Sequence, residues 1–426
     1  MRLELRILNI KDVRLNGKTG IKNNILQIDH QELKELLQKD KRFESVDIAL
    51  ARPGENSRIL QVADVIEPRA KIDSLVEDFP GALGKQGIAG EGSTCVLRNV
   101  AVIINDQSQL CLKGPYLPGK ILDMSGPAAE FSIYSKKQIV AVLPKPSDSV
   151  NRNDYLLALK IAGLKTSVYL ASAGKELVPD EKEVYELPPL TETSKGMEGL
   201  PKVAYIFQVY MNQLEKIRGE PIFYGDSIRS LFPTIIHPNE VFDGAIVDAF
   251  KGGAGETYAV QNHSVIKELY SRHGKDLCFC GVVLTVSHST DQEIERSGVM
   301  AAKLVKSVLG ADGVILTKAW GGAPEIDMGQ AAAKCEELGV KTALLMWNMT
   351  PAGAGGILFN YPKVNAITAT ANLAKPLKFP AMGKIIGIPG ILPTGESIND
   401  EFRRSKWDIL GIPDNLGHSN FVSVEY

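Results

Sequence analysis

The rhythm of hydrophobic and polar positions changes along the chain. Near the start, Leu3, Leu5 and Ile7 alternate with Glu4 and Arg6, the two-residue period of a strand with one buried face. Residues 30–40 place Leu33, Leu36 and Leu37 on one face of a predicted helix. Apolar runs at 46–50, 59–62 and 96–104 read as further strands, set apart by the turn signals Arg52-Pro53-Gly54, Phe79-Pro80-Gly81 and Gly90-Glu91-Gly92-Ser93. The run 139–143 predicts a buried strand ended by Pro144 and Pro146. A helix is predicted over about 153–162, with a second apolar run at 166–171. Residues 178–202 are polar and carry Pro179, Pro188, Pro189 and Pro201, so they read as a surface connection. A strand follows at 203–209, and 219–250 is irregular.

Beyond Gly255 the pattern becomes regular. Helices at 265–274, 291–309 and 328–339 alternate with strands at 280–286, 313–317, 341–346 and 366–369. Alternation of this kind means βαβ units and a parallel sheet. The expected fold class is therefore α/β: a mixed, strand-rich N-terminal region over 1–250 and a doubly wound parallel α/β domain over 256–426. The stretch 219–250 is expected in the interface between them.

A length of 426 residues suits two or three domains. With 48 basic against 50 acidic side chains, the net charge of −2 argues against a duplex nucleic-acid binder, which needs a basic footprint. Cys95, Cys111, Cys278, Cys280 and Cys335 are odd in number and scattered, so no disulfide framework is expected and a reduced, cytoplasmic setting fits. Met1 to Arg6 interleaves charge with apolar residues, unlike a secretory signal, and no run approaches the ~20 apolar residues of a membrane helix.

Candidate chemistry concentrates in two places. Ligands of open α/β sheets bind beyond the carboxyl ends of the strands, and there Trp320 and Trp347 fall just past neighbouring strands, the second followed by the glycine-rich 353–356. Their faces could hold an alkylated ammonium group by cation–π attraction, or they could simply close the core. No G-x-G-x-x-G or P-loop pattern occurs, and Cys278 and Cys280 read as small core residues. The second place is His237, Asn239, Glu240 and Asp243, a cluster able to bind a substrate or to satisfy a polar turn. Glu240 would take an ammonium end and His237 a carboxylate end. No spacing fits a metal site.

The chain resembles the proprotein subunit of component B of the glycine, sarcosine and betaine reductases. The resemblance rests on Leu122 to Ala128, Ala162 to Lys165, Gly199 to Tyr205, His237 to Ala245, Tyr258 to Asn262 and Leu309 to Ile315, in that order along nearly the whole length. It implies an anaerobic, cytoplasmic oxidoreductase subunit that takes part in reductive cleavage of the C–N bond of a small amino acid or N-methylated amine. It also implies a thiol- or selenol-bearing partner subunit and an oligomer. In the family the proprotein is cleaved before a cysteine that becomes a pyruvoyl group, whose carbonyl forms a Schiff base with a substrate amine.

Here the sequence departs from that pattern. The family's cysteine would fall between Ala245 and Thr257, where this chain has none. The expectation is an uncleaved subunit without a pyruvoyl group, in which Thr257 and Ser264 are the hydroxyls that could replace the cysteine and the Thr94-Cys95 bond lies far upstream. The catalytic residues stay unassigned, with His237, Asn239, Glu240, Asp243, Trp320 and Trp347 as substrate-binding candidates. The alternative is a repurposed stand-alone homologue or a binding protein for another small ligand.

Overall fold

The computed structural model describes residues 1–73, 77–108, 120–210, 222–228, 231–248, 255–347, 364–370, 375–388, 397–412 and 416. The first half contains β1 (Arg2–Asn9), β2 (Asp12–Arg14), β3 (Gly20–Lys22), β4 (Ile25–Gln27), α1 (His30–Gln38), β5 (Phe43–Ala51), β6 (Ser57–Ile66), β7 (Arg69–Lys71), β8 (Gly92–Arg98), β9 (Val100–Asn105), β10 (Lys120–Asp123), β11 (Gln138–Pro146), α2 (Arg152–Ser172) and β12 (Glu181–Glu186). The second contains β13 (Lys202–Val209), β14 (Thr234–Ile236), α3 (Pro238–Phe242), α4 (Thr257–Gln261), α5 (Ser264–Arg272), β15 (Cys278–Val286), α6 (Asp291–Lys303), β16 (Gly313–Thr317), α7 (Ala323–Glu337), β17 (Lys341–Trp347), β18 (Ala366–Thr370), β19 (Pro376–Phe379), β20 (Lys384–Ile386) and β21 (Phe402–Ser405).

Two sheets organise the first half. One runs β12-β1-β8-β7 and the other β10-β6-β9-β11-β5. The alternation at the start of the chain does what its period implies: Leu3, Leu5 and Ile7 are fully buried in β1. The second half is built on β14-β15-β13-β16-β17-β18, parallel throughout except for β14, which runs antiparallel to β15. This is the expected doubly wound α/β sheet with one antiparallel edge strand.

Several local expectations change. The run 96–104 is two strands, broken at Asn99, whose φ of 70° turns the chain between β8 and β9. The apolar stretches 153–162 and 166–171 form one continuous helix, α2. Pro144 does not end β11; the strand runs on to Pro146, paired there only with β5, where no N–H from the proline is required. Within the expected surface connection, β12 adds an edge to β1. Strand membership also crosses the 250–256 boundary. β13 and β14 belong to the C-terminal sheet, while β20 returns to pair with β6.

The two halves share a core. Leu3, Leu5 and Ile7 of the first pack in one cluster with Phe207, Phe279 and Val282 of the second, joined by Ile222, Val241, Phe242 and Ile246 from the middle stretch. The segment 219–250 is thus the mortar between the halves as far as it is described.

Candidate functional site

The middle cluster is assembled around a short helix. Pro238 supplies a helix-compatible φ at the first position of α3, and His237 caps it. The His237 Nδ1 accepts the Asn239 N–H at 3.2 Å, and Glu240 Oε1 accepts the His237 N–H at 2.6 Å, a reciprocal capping box. The other oxygen of Glu240 accepts the Tyr224 hydroxyl at 2.6 Å. Asn239 donates to the carbonyls of Gly90 and Tyr185, each at 3.1 Å, and accepts from the Tyr270 hydroxyl. Asp243 pairs with Lys71 and accepts the Gly90 N–H at 2.7 Å and the Thr94 hydroxyl at 3.0 Å. Asn239 and Asp243 therefore tie the middle stretch to β7, β8, β12 and α5, while Glu240 braces it internally. Burial lowers His237 to about 4, so the ring is neutral at pH 7, and its Nε2 is buried with no hydrogen bond among the described residues.

Just beyond lies the neck of the segment in which the resemblance led to a cysteine. The Asp248 N–H donates to Thr257 Oγ1 at 2.9 Å, and that hydroxyl donates to Asp64 Oδ2 at 2.6 Å. Asp64 also accepts the Thr257 and Val65 N–H groups, and complete burial raises its carboxyl to about 7. Arg69 completes the neck. It pairs with Glu67 at 2.6 Å and donates to the carbonyls of Phe242 and Gln261, one on each side of residues 249–254.

The carboxyl edge of the C-terminal sheet holds a different set of groups. β13 lies between β15 and β16. The chain leaving β13 continues to β15 on one side, and the chain leaving β16 continues to β17 on the other, so a topological switch point falls at β13/β16. Gln208 of β13 reaches across it: Oε1 accepts the Ala319 N–H at 2.9 Å, and Nε2 donates to the Pro324 carbonyl at 3.0 Å and to Asp327 Oδ2 at 3.3 Å. Beyond β15, His288 Nδ1 lies 3.1 Å from the same carboxylate oxygen. Beyond β16, Lys318 pairs with Glu325 at 2.6 Å, both side chains fully buried. The α7 helix thus brings Glu325 and Asp327 to the strand exits that carry Lys318 and His288.

Trp320 stands at the same edge, packed edge-on against Tyr210 and Trp407 with centroid distances of 6.4 and 5.3 Å. Trp407 already faces a cation: Lys120 Nζ lies 4.3 Å from its ring centroid and donates to its carbonyl. Burial lowers that lysine to about 8. Trp347 ends β17, next to β16, but its side chain and residues 353–356 lie outside the described residues. The structure therefore keeps the six expected residues in two groups, the α3 joint and the sheet edge. Sequence reasoning passed over Gln208, His288, Lys318, Glu325 and Asp327. The available signal was position, because His288 and Lys318 stand within two residues of strand ends.

An open depression of about 850 Å³ lined by Glu192, Lys195, Glu198, Lys202 and Asp312 lies at the opposite, amino edge of this sheet. Among the described residues no group of three or more His, Cys, Asp or Glu side chains is placed to hold a metal ion, and no helix is long and apolar enough to cross a membrane.

Comparison with known proteins gives this geometry its family. The model of the glycine/sarcosine/betaine reductase component B subunits matches residues 1–396. The chain is 38% identical over 348 residues to glycine reductase complex component B subunits alpha and beta of Acetoanaerobium sticklandii, covering 81% of this chain and 79% of the relative. It is 35% identical to sarcosine reductase complex component B subunit alpha of Peptoclostridium acidaminophilum, covering 91% and 90%. It is 30% identical to betaine reductase complex component B subunit alpha of the same organism, covering 91% and 88%. No solved structure matches. At this identity and coverage, the chain belongs to the family of glycine/sarcosine/betaine reductase component B subunits.

Proposed function

We propose that this chain is the substrate-binding subunit of a reductase complex that cleaves the C–N bond of a small N-methylated amino acid, and that it works without a pyruvoyl group. The observation that carries the second part is the sequence between Ala245 and Tyr258, which contains no cysteine. Cys95, Cys278, Cys280 and Cys335 support it from another side, since all four are buried. Burial raises the Cys95 thiol to about 11 and the Cys280 and Cys335 thiols to about 12.

A quaternary ammonium nitrogen has no proton to lose and cannot form a Schiff base, so a betaine-like substrate does not require the carbonyl. Its C–N bond is already polarised by the positive nitrogen and can be displaced by a thiolate or selenolate from a partner subunit. The seat we assign is the carboxyl edge of the C-terminal sheet. There Trp320 supplies aromatic surface for the methylated end and Lys318, exchanging Glu325 for a ligand, supplies a cation for the carboxylate end; the expected contribution of Trp347 falls on a side chain outside the described residues. In this reading His237, Asn239, Glu240 and Asp243 hold the seat in place by fixing the joint behind it.

Intact-mass measurement tests the pyruvoyl-free part: one species at full chain mass, inert to hydrazines, is expected. Two fragments, one forming a hydrazone, would overturn it. Titration calorimetry with glycine, sarcosine and betaine tests the substrate class. Betaine is expected to bind most tightly, and replacing Trp320 with Leu to weaken it by about tenfold, or ~1.4 kcal/mol.

A further inference from the structure

Two donors at the seam between the halves lack an acceptor. Lys137, just before β11, is partly buried, and its ammonium makes no hydrogen bond or ion pair among the described residues. It stands 5.7 Å over the ring of Tyr258 in α4. Tyr258 is 6% exposed and packs edge-on against Tyr134, and its hydroxyl makes no hydrogen bond among the described residues either. Groups of this kind are ordinarily satisfied when a protein buries them. The charge around them is in excess of one sign. Arg98 pairs with Glu183 at 2.6 Å and with Glu181 at 3.5 Å, Lys267 lies 3.6 Å from Glu183, and Arg69 pairs with Glu67 at 2.6 Å. Four cations thus face three carboxylates, and Lys137 is the one left without a partner. The two donors share surroundings. Burial lowers the Lys137 ammonium, with Glu67 opposing and Arg98 and Lys136 adding to the shift. Burial raises the Tyr258 phenol, with Glu67 adding and Arg69 and Arg98 opposing. The Tyr258 hydroxyl therefore keeps its proton near neutral pH and lies within reach of the same Glu67 and Arg98 charges that act on Lys137.

We propose that Lys137 and Tyr258, in the field of Arg98, form a binding site for a small carboxylate at the seam between β11 and α4. The inference goes beyond the proposed function and does not depend on it. One carboxylate oxygen accepts from the Lys137 ammonium and the other from the Tyr258 hydroxyl, both charge-assisted hydrogen bonds. With about 2.8 Å at each end, a carboxylate bridges donors roughly 7 Å apart. An ammonium 5.7 Å over the ring stands within that span of the hydroxyl. A single negative charge matches the one cation in excess, whereas a second charge would meet Glu67 and Glu183. Because β11 belongs to the first half and α4 to the second, an anion bonded to both donors ties the halves together, and binding raises the stability of the fold by linkage.

The test uses the full chain in a chloride buffer, titrated at constant ionic strength with sodium acetate, and in separate arms with sodium phosphate and sodium sulfate. Calorimetry and melting temperature read binding, and the lysine ¹⁵Nζ resonance of Lys137 reads contact in the parent without any substitution. Acetate is expected to bind saturably, to raise the melting temperature and to shift that resonance. Lys137→Met and Tyr258→Phe keep the packing volume while removing one donor each, and are each expected to weaken acetate by about fivefold or more, with melting temperatures in chloride close to the parent's. Lys136→Gln, at the exposed neighbouring position, is expected to leave acetate affinity within about twofold. No saturable acetate binding by the parent, or an unmoved Lys137 resonance at saturation, overturns the proposal. Acetate affinity within about twofold of the parent in both Lys137→Met and Tyr258→Phe overturns it as well, by placing the anion elsewhere. Phosphate or sulfate binding more tightly than acetate overturns the assignment of a singly charged carboxylate.

Discussion

Two buried titratable residues, one in the middle segment and one bonded to it, should pull stability in opposite directions with pH. His237 sits at about 4 in the fold against about 6.5 in an unfolded chain. Between those values only the unfolded state binds the proton, so its contribution is complete above about pH 6.5 and is lost as pH falls towards 4. Discounted for partial solvent access, the loss is about 2 kcal/mol. Asp64 sits at about 7 against an unfolded value of about 3.9. There the folded state holds the proton, so stability is lost as pH rises from about 4 to 7, by a few kcal/mol. The parent's profile should be comparatively flat across this window because the slopes oppose. His237→Asn keeps an N-cap acceptor and should lose less stability than the parent between pH 6.5 and 4.5. Asp64→Asn should gain on the parent between pH 5 and 8. Melting temperatures across that range decide both, and parallel curves would refute the assignments. The polar character of His237 to Asp243 was legible in the sequence, but its partners were not. Asp243 meets Gly90 and Thr94 from 153 and 149 positions away, and no local pattern encodes that.

At the scale of elements, the clean periods were readable and the misread ones have physical causes. β1 and the strands of the parallel sheet follow their apolar patterns because each has a buried face. β12 was hidden because it is an edge strand: Glu-Lys-Glu-Val-Tyr-Glu is mostly exposed, and Lys182 pairs with Glu4 on the surface. α2 was split because Gly163 interrupts the pattern. A Cβ there would stand 2.8 Å from Ile66 Cδ1 and 3.6 Å from Ile104 Cβ, so the glycine is where the helix settles onto β6 and β9. Gly163→Val should therefore destabilise the protein by about 2 kcal/mol, through overpacking and the poorer helix propensity of a branched residue. Chemical denaturation would measure it. A variant as stable as the parent would mean that helix and sheet are not in close contact at this point.

At the scale of the whole molecule, the two halves are locked from both sides of residues 249–254. Before that segment, Phe242 and Asp243 are held by Arg69, Lys71, Gly90 and Thr94. After it, Thr257 is held by Asp64, and Gln261 by Glu67 and Arg69. Later in the chain, the buried Arg58–Asp123 pair grips the returning segment through the carbonyls of Pro380 and Ile398, with the guanidinium 4.6 Å from the Phe402 ring centroid. None of these ties needs the peptide bonds of 249–254. A protease site inserted there and cut should leave two pieces that migrate together under native conditions and separate only in denaturant. Arg69 is the group that spans the cut. Burial alone would raise the Glu67 carboxyl, but the charge and hydrogen bonds of Arg69, joined by the Asn262 amide and the Lys267 charge, together outweigh it and keep the carboxyl below its ordinary value. Arg69→Met would leave that carboxylate buried without its main partner, which costs about 3–5 kcal/mol. In the uncut chain the loss should appear as a lower melting temperature with the halves still joined. In the cut chain it should appear as concentration-dependent dissociation, because the remaining contacts must then hold two molecules together rather than one. Sedimentation of cut parent and cut Arg69→Met at matched concentrations separates the cases, and equal association in both would show that the shared apolar core, not the ion pair across the neck, joins the halves.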